Sequence, residues 1–172
     1  MRKYQKIIIY LVAAVILIGT AWGFKRRRVE LITPDRIISL NEAIGASGAE
    51  ALTDGEVKKI GNRLEVCYNA NPIGSADNVK VELVYYSDEY PRSSVEELFN
   101  SDRDRLLIYE EISNMGERAF IAFPSIYIYE KGFYVKITAG SASDDTQAEI
   151  LKKLGQTAAE NLEKYIKSNR LK

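Results

Sequence analysis

Histidine is absent from the 172 residues. That excludes Ser-His-Asp and Cys-His catalysis and every zinc site that needs an imidazole. Cysteine occurs once, at Cys67, so there is no intramolecular disulfide and no CxxC pair. Neither the two methionines nor the single tryptophan suggests a cofactor box, and no repeat of fixed period is found. No cofactor is expected, and with no catalytic constellation the chain does not read as an enzyme.

Acidic residues are unevenly spread. Residues 1–28 carry seven basic side chains and no acid, although the whole chain balances 24 basic against 24 acidic residues. Residues 29–172 therefore hold 17 basic and 24 acidic residues, a net of −7. A nucleic-acid binder needs a basic face, and the only dense basic cluster here flanks an apolar run, so no nucleic-acid partner is expected.

That run, Ile7 to Phe24, is 18 residues without a formal charge, bounded by Lys6 and Lys25. At about 1.5 Å per helical residue it nears the length that crosses a hydrocarbon core about 30 Å thick. Trp22 and Phe24 stand near one end, and Trp favours the membrane interface. The expectation is a single-pass anchor over residues 1–28, holding the bilayer through residues 7–24. A cleavable signal peptide ending at Gly19-Thr20-Ala21 is the alternative, and Lys25-Arg26-Arg27-Arg28 immediately after the run favours the anchor. Basic residues tie on the two flanks. Short N-terminal anchors usually export the domain on their C-terminal side, so the expected localisation is a cell membrane with the domain outside the cytoplasm.

Residues 29–37 read as a linker broken by Pro34, and residues 38–172 as one domain. Ser39-Leu40-Asn41-Glu42 matches a capping box, so a short helix should start there and stop near Gly45 or Gly48. Arg63–Asn69 alternates as a strand, with Glu56–Ile60 as its hairpin partner across Gly61-Asn62. Asn69–Asn78 reads as a loop, and Val79–Tyr86 as a second clear strand. Ser93 and Ser94 each precede a glutamate by three residues, which predicts a helix to about Leu107 with Val95, Leu98, Phe99 and Leu106 as its apolar stripe.

The best-determined unit is Ala119–Ala139. Two alternating runs flank Lys131-Gly132, and a two-residue hairpin loop pairs Tyr129 with Tyr134, Ile128 with Val135, Tyr127 with Lys136 and Ile126 with Ile137. One face then carries Ile126, Ile128, Val135 and Ile137, the other Tyr127, Tyr129, Tyr134 and Lys136. A slip by one residue would mix the two sets. After a polar loop, Ile150, Leu151, Leu154, Ala158, Leu162 and Ile166 recur at helical spacing in a final helix to about Ser168. The fold class is α+β, a mainly antiparallel sheet packed by helices including the long C-terminal one, preceded by one transmembrane helix.

The run Ile112-Ser113-Asn114-Met115-Gly116-Glu117-Arg118-Ala119 resembles the "glycine, acidic, x, alanine" turn of small exported bacterial domains, in which a strand pair and a terminal helix come next. Residues 38–168 thus resemble the α/β sandwich of the extrinsic photosystem II subunit P (PsbP-like). The resemblance implies a binding or assembly module and carries over no catalytic residue. No lipobox cysteine is present, since the one cysteine is Cys67, so anchoring would fall to the apolar helix.

Other candidates read as structural. Glu110 and Glu111 are adjacent and would point to opposite faces of a strand. Asp102-Arg103-Asp104-Arg105 alternates in charge like a wet surface. Asp144-Asp145 suits a helix cap. Cys67 falls on the polar side of its strand. The tyrosines are more informative, because an apolar body with a hydrogen-bonding tip suits recognition. Tyr86, Tyr127, Tyr129, Tyr134 and Lys136 are the candidate binding residues for a partner or ligand. The competing reading makes the tyrosines a second core layer beneath a helix. The function expected is a membrane-anchored extracytoplasmic binding module of the bacterial envelope, acting on an envelope protein through this face and the Ile73–Asp77 loop. The alternative is a small-ligand sensor or carrier with a tyrosine-lined pocket.

Topology is directly testable. With Ser168→Cys in a Cys67→Ser background, a membrane-impermeant thiol reagent should label the membrane fraction of intact cells. Labelling only after lysis would place the domain inside.

Overall fold

The computed structural model describes residues 31–49, 51–70, 78–140 and 145–171. The apolar run and its basic flanks lie outside these residues, as does the Ile73–Asp77 loop. Among the described residues, no helix is long and apolar enough to cross a membrane.

Residues 32–37, expected to be linker, belong to the packed domain. Thr33 caps a one-turn helix, α1 (Pro34–Ile37), with Pro34 in its first turn. Proline is tolerated there because its missing N–H is one the helix start leaves unpaired anyway. Ile32, Ile37 and Ile38 are buried. Helix α2 (Leu40–Ser47) comes next with the expected capping box: the Ser39 N–H donates to Glu42 Oε2 at 2.7 Å, and the Glu42 N–H donates to Ser39 Oγ at 3.4 Å. Gly48 closes α2 in the left-handed region (φ 70°).

Among the described residues eight strands make one sheet: β1 (Leu52–Thr53), β2 (Lys58–Ile60), β3 (Arg63–Ala70), β4 (Val79–Tyr85), β5 (Glu110–Ile112), β6 (Arg118–Ala122), β7 (Ser125–Glu130) and β8 (Phe133–Ala139). Their order is β1-β3-β4-β8-β7-β6-β5, with β2 beside β3, and every pairing is antiparallel. The β7–β8 register is the expected one, Tyr129 opposite Tyr134 through Ile126 opposite Ile137. Lys131 (φ 47°) and Gly132 (φ 85°) both take positive φ, as a type I′ hairpin turn requires.

Helix α3 (Arg92–Asp104) starts and stops earlier than its serines suggest. Pro91 is its N-cap and no side chain caps it. Ser93 and Ser94 lie inside the first turn, so the predicted capping boxes do not form. Helix α4 (Asp145–Asn169) is 25 residues, about 37 Å long.

Alternation sorts the sheet into two faces. The aliphatic face, with Val79, Val81, Leu83, Ile126, Ile128, Val135 and Ile137 all buried, lies under α1, α2 and α4. Gly155 lets α4 approach closely: a Cβ there would stand 2.5 Å from Ile126 Cδ1 and 2.7 Å from Met115 Sδ. The aromatic face lies under α3, whose Val95 and Phe99 are buried against Val84, Phe120, Ala122, Tyr127, Tyr129 and Tyr134. The Arg118 guanidinium ties α3 to β6. It sits 5.1 Å from the Phe99 ring centroid and 4.9 Å from that of Tyr129, and donates to Glu96 at 2.9 Å and Asn100 at 3.0 Å.

Two substitutions probe the two layers separately. Gly155→Val should cost about 1–3 kcal/mol by overpacking the aliphatic layer, and Phe99→Ala about 3–5 kcal/mol by opening a cavity under α3. Urea unfolding reads both, and a loss under about 0.5 kcal/mol for either would contradict this packing.

Candidate functional site

The aromatic face is covered over only part of its area. Tyr127, Tyr129 and Tyr134 retain 7%, 6% and 3% of their surface. These three form a second core layer beneath a helix, as the competing expectation has it. Phe120 and Tyr127 stack at 4.4 Å between centroids, and Phe99 meets Tyr134 edge-on at 5.7 Å. The Tyr134 hydroxyl donates to Asp102 Oδ2 on α3 at 2.5 Å. Burial first, then this carboxylate, push the Tyr134 phenol well above its ordinary range. Asp102 thus faces the sheet rather than the wet surface its charge pattern suggests.

Tyr86 lies beyond the end of β4, with the Arg92 guanidinium carbon 4.5 Å from its ring centroid. Lys136 stands at the margin of the tyrosine layer, its Nζ 5.3 Å from the Tyr127 ring centroid. The fold therefore brings Lys136 to Tyr127 and packs the half-buried Tyr86 against the aromatic layer from beyond the end of β4.

Beyond that margin the same sheet face becomes polar. Arg63 and Glu65 on β3, Lys80 and Glu82 on β4, and Lys136 on β8 share it by alternation and register. Glu65 stands directly opposite Glu82, a like-charged pair that would repel. Lys80 resolves it, with Nζ 3.1 Å from Glu65 Oε2 and 3.3 Å from Glu82 Oε1. Arg63 reaches Glu82 Oε1 at 3.1 Å, and Lys136 Nζ lies 4.0 Å from Glu82 Oε2. Glu82 is buried at the centre while Arg63, Lys80 and Lys136 keep 46%, 38% and 33% of their side-chain surface. Burial works against the Lys80 charge, but the Glu65 and Glu82 carboxylates outweigh it and hold the ammonium above its usual range. Cys67, opposite Lys80 on this face, has its thiol raised by burial.

A cavity of about 40 Å³ sits where the two regions meet, lined by Arg63, Glu82, Val84, Asp102, Tyr134 and Lys136. It has room for a water molecule but not for an organic ligand. A larger groove of about 290 Å³ runs between α3 and the β5–β6 pair. Among the described residues, no group of three or more Asp, Glu or Cys side chains is placed to hold a metal ion.

No protein-family model, curated protein or solved structure matches this chain.

Sequence reasoning missed Glu82 and Asp102. Glu82 alternates with Lys80, as Arg63 does with Glu65, but only the β3–β4 register makes one network of them. Asp102 had a signal: it stands three residues after Phe99 and four before Leu106, on the inner stripe of α3.

Glu82→Gln should cost about 1–3 kcal/mol, because it takes the carboxylate from Arg63 and Lys136 and leaves Lys80 only Glu65. Denaturant unfolding checks this. A loss no larger than that of Glu65→Gln would mean the charges are independent and solvated.

Proposed function

We propose that this chain is a membrane-anchored binding module of a bacterial envelope, with residues 7–24 in the bilayer and the α+β domain outside the cytoplasm. Its partner is another envelope protein. The observation that carries the reading is the half-covered aromatic face. Beside a closed tyrosine layer, three cations organised around two carboxylates keep part of their surface open to solvent.

Such a surface suits a protein partner. Its charges are held in place by one another, so little order remains to be imposed on binding. Mixed signs at fixed spacing select a complementary pattern and reject like charge. Lys136 adds a long apolar stem at the boundary. The PsbP-like resemblance agrees with an assembly role. The small-ligand reading asks for an enclosed pocket among the tyrosines, and the 40 Å³ cavity there is too small to support it. No catalytic step is proposed.

Cys67, the one thiol, already lies on this face. A thiol-directed photo-crosslinker attached there in the full-length chain in native membranes should give a discrete adduct with another protein. Lys136→Gln, which leaves Lys80 between Glu65 and Glu82, should weaken the adduct while keeping the wild-type circular dichroism. An adduct unaffected by that change, or formed equally from the exposed Lys153→Cys on α4 in a Cys67→Ser background, would place recognition elsewhere.

A further inference from the structure

The described domain exposes apolar side chains at one end of its sheet. Leu107 (101% exposed), Ile108 (86%) and Tyr109 (41%) come after α3, and Phe123 (42%) occupies the turn between β6 and β7. These two loops adjoin, because β5 begins where its partner β6 ends: Glu110 lies opposite Ile121. The Tyr109 ring rests 5.5 Å from Phe120, so the loop is anchored at its root while Leu107 and Ile108 project. Four large apolar side chains on two neighbouring loop tips are unusual on a surface that faces only water.

We propose that this end of the domain inserts shallowly into a lipid bilayer, with Leu107, Ile108 and Phe123 at the acyl boundary and Tyr109 at headgroup level. The proposal rests on the reading of residues 7–24 as a membrane anchor. Three residues separate Arg28, the last of the basic flank, from Ile32, the first buried residue of the domain. A chain that short spans at most about 14 Å, so the anchor would hold the domain against the headgroups.

Around the loop, Asp104 is paired with Arg103 and Glu110 with Lys152, and Arg105 and Glu111 are exposed. A second copy pairing along the β5 edge is less suited, because Glu110 and Glu111 would meet like charges.

The test uses the full-length chain reconstituted in phosphatidylcholine–phosphatidylglycerol vesicles. Ile108→Cys and, separately, Ile60→Cys are made in a Cys67→Ser background and labelled with an environment-sensitive fluorophore. Ile60 is also an exposed isoleucine (60%) but lies at the opposite end of the sheet. The label at position 108 should be blue-shifted and quenched about threefold or more beyond that at position 60 by nitroxide-bearing phospholipid. Equal, water-like signals from a chain that floats with the vesicles would overturn the insertion and leave the anchor standing. A blue shift without lipid quenching that grows with protein concentration would also overturn it, in favour of a second copy. A chain that fails to float would remove the anchor and, with it, this proposal.

Discussion

The two-residue turn at Lys131-Gly132 fixes which side chains share a face, and most of the domain is built on that division. With both turn residues at positive φ, Glu130 must pair with Phe133 and every later pair is set. The strands lie at the middle of the sheet, so β4 inherits its register from β8 and β6 inherits its own from β7. A slip by one residue would turn the isoleucines towards α3 and the tyrosines towards α4. Neither helix has the matching surface. Gly155 receives Ile126, and Phe99 receives Tyr134 edge-on.

From this division come two layers of different chemistry. The aliphatic layer is closed completely by α1, α2 and α4, and its stability is area removed from water. The aromatic layer is closed by the short helix α3, which has only Val95 and Phe99 fully buried. Such a helix needs directional contacts in addition. It has them in the Asp102 bond to Tyr134 and in the Arg118 guanidinium held among Phe99, Tyr129, Glu96 and Asn100. Where α3 stops, the face turns from aromatic to ionic, and that boundary is the proposed recognition surface.

Much of this was legible in the sequence wherever a local rule decides. The hairpin, the Ser39 capping box, strands β3 and β4 and the stripe of α4 are set by alternation, capping and turn chemistry within a few residues. The illegible remainder depends on distant neighbours. Strands β1 and β5, of two and three residues, are too short for alternation to mark and exist because β3 and β6 offer a free edge. Pro34 reads as a breaker but serves as a helix start, because Ile32 and Ile37 find the core. The tyrosines had two consistent readings, and only the placement of α3 chose between them. The ionic network at Glu82 needed the register of three strands at once.

The account stands most directly on the β7–β8 register. Ser125 and Thr138 face each other across it, hydroxyl to hydroxyl at 2.8 Å. Their neighbours Pro124 and Ala139 form the hydrogen-bonded pair, with the Ala139 N–H donating to Pro124 O at 3.1 Å. Positions 125 and 138 are therefore a non-hydrogen-bonded pair, the type with the closer backbones. The decisive measurement is disulfide formation in Ser125→Cys/Thr138→Cys made in a Cys67→Ser background. The account predicts complete oxidation in air with the fold and its unfolding midpoint retained. Two thiols that remain free, or that bridge only after the fold is lost, would contradict the register and the separation of faces built on it.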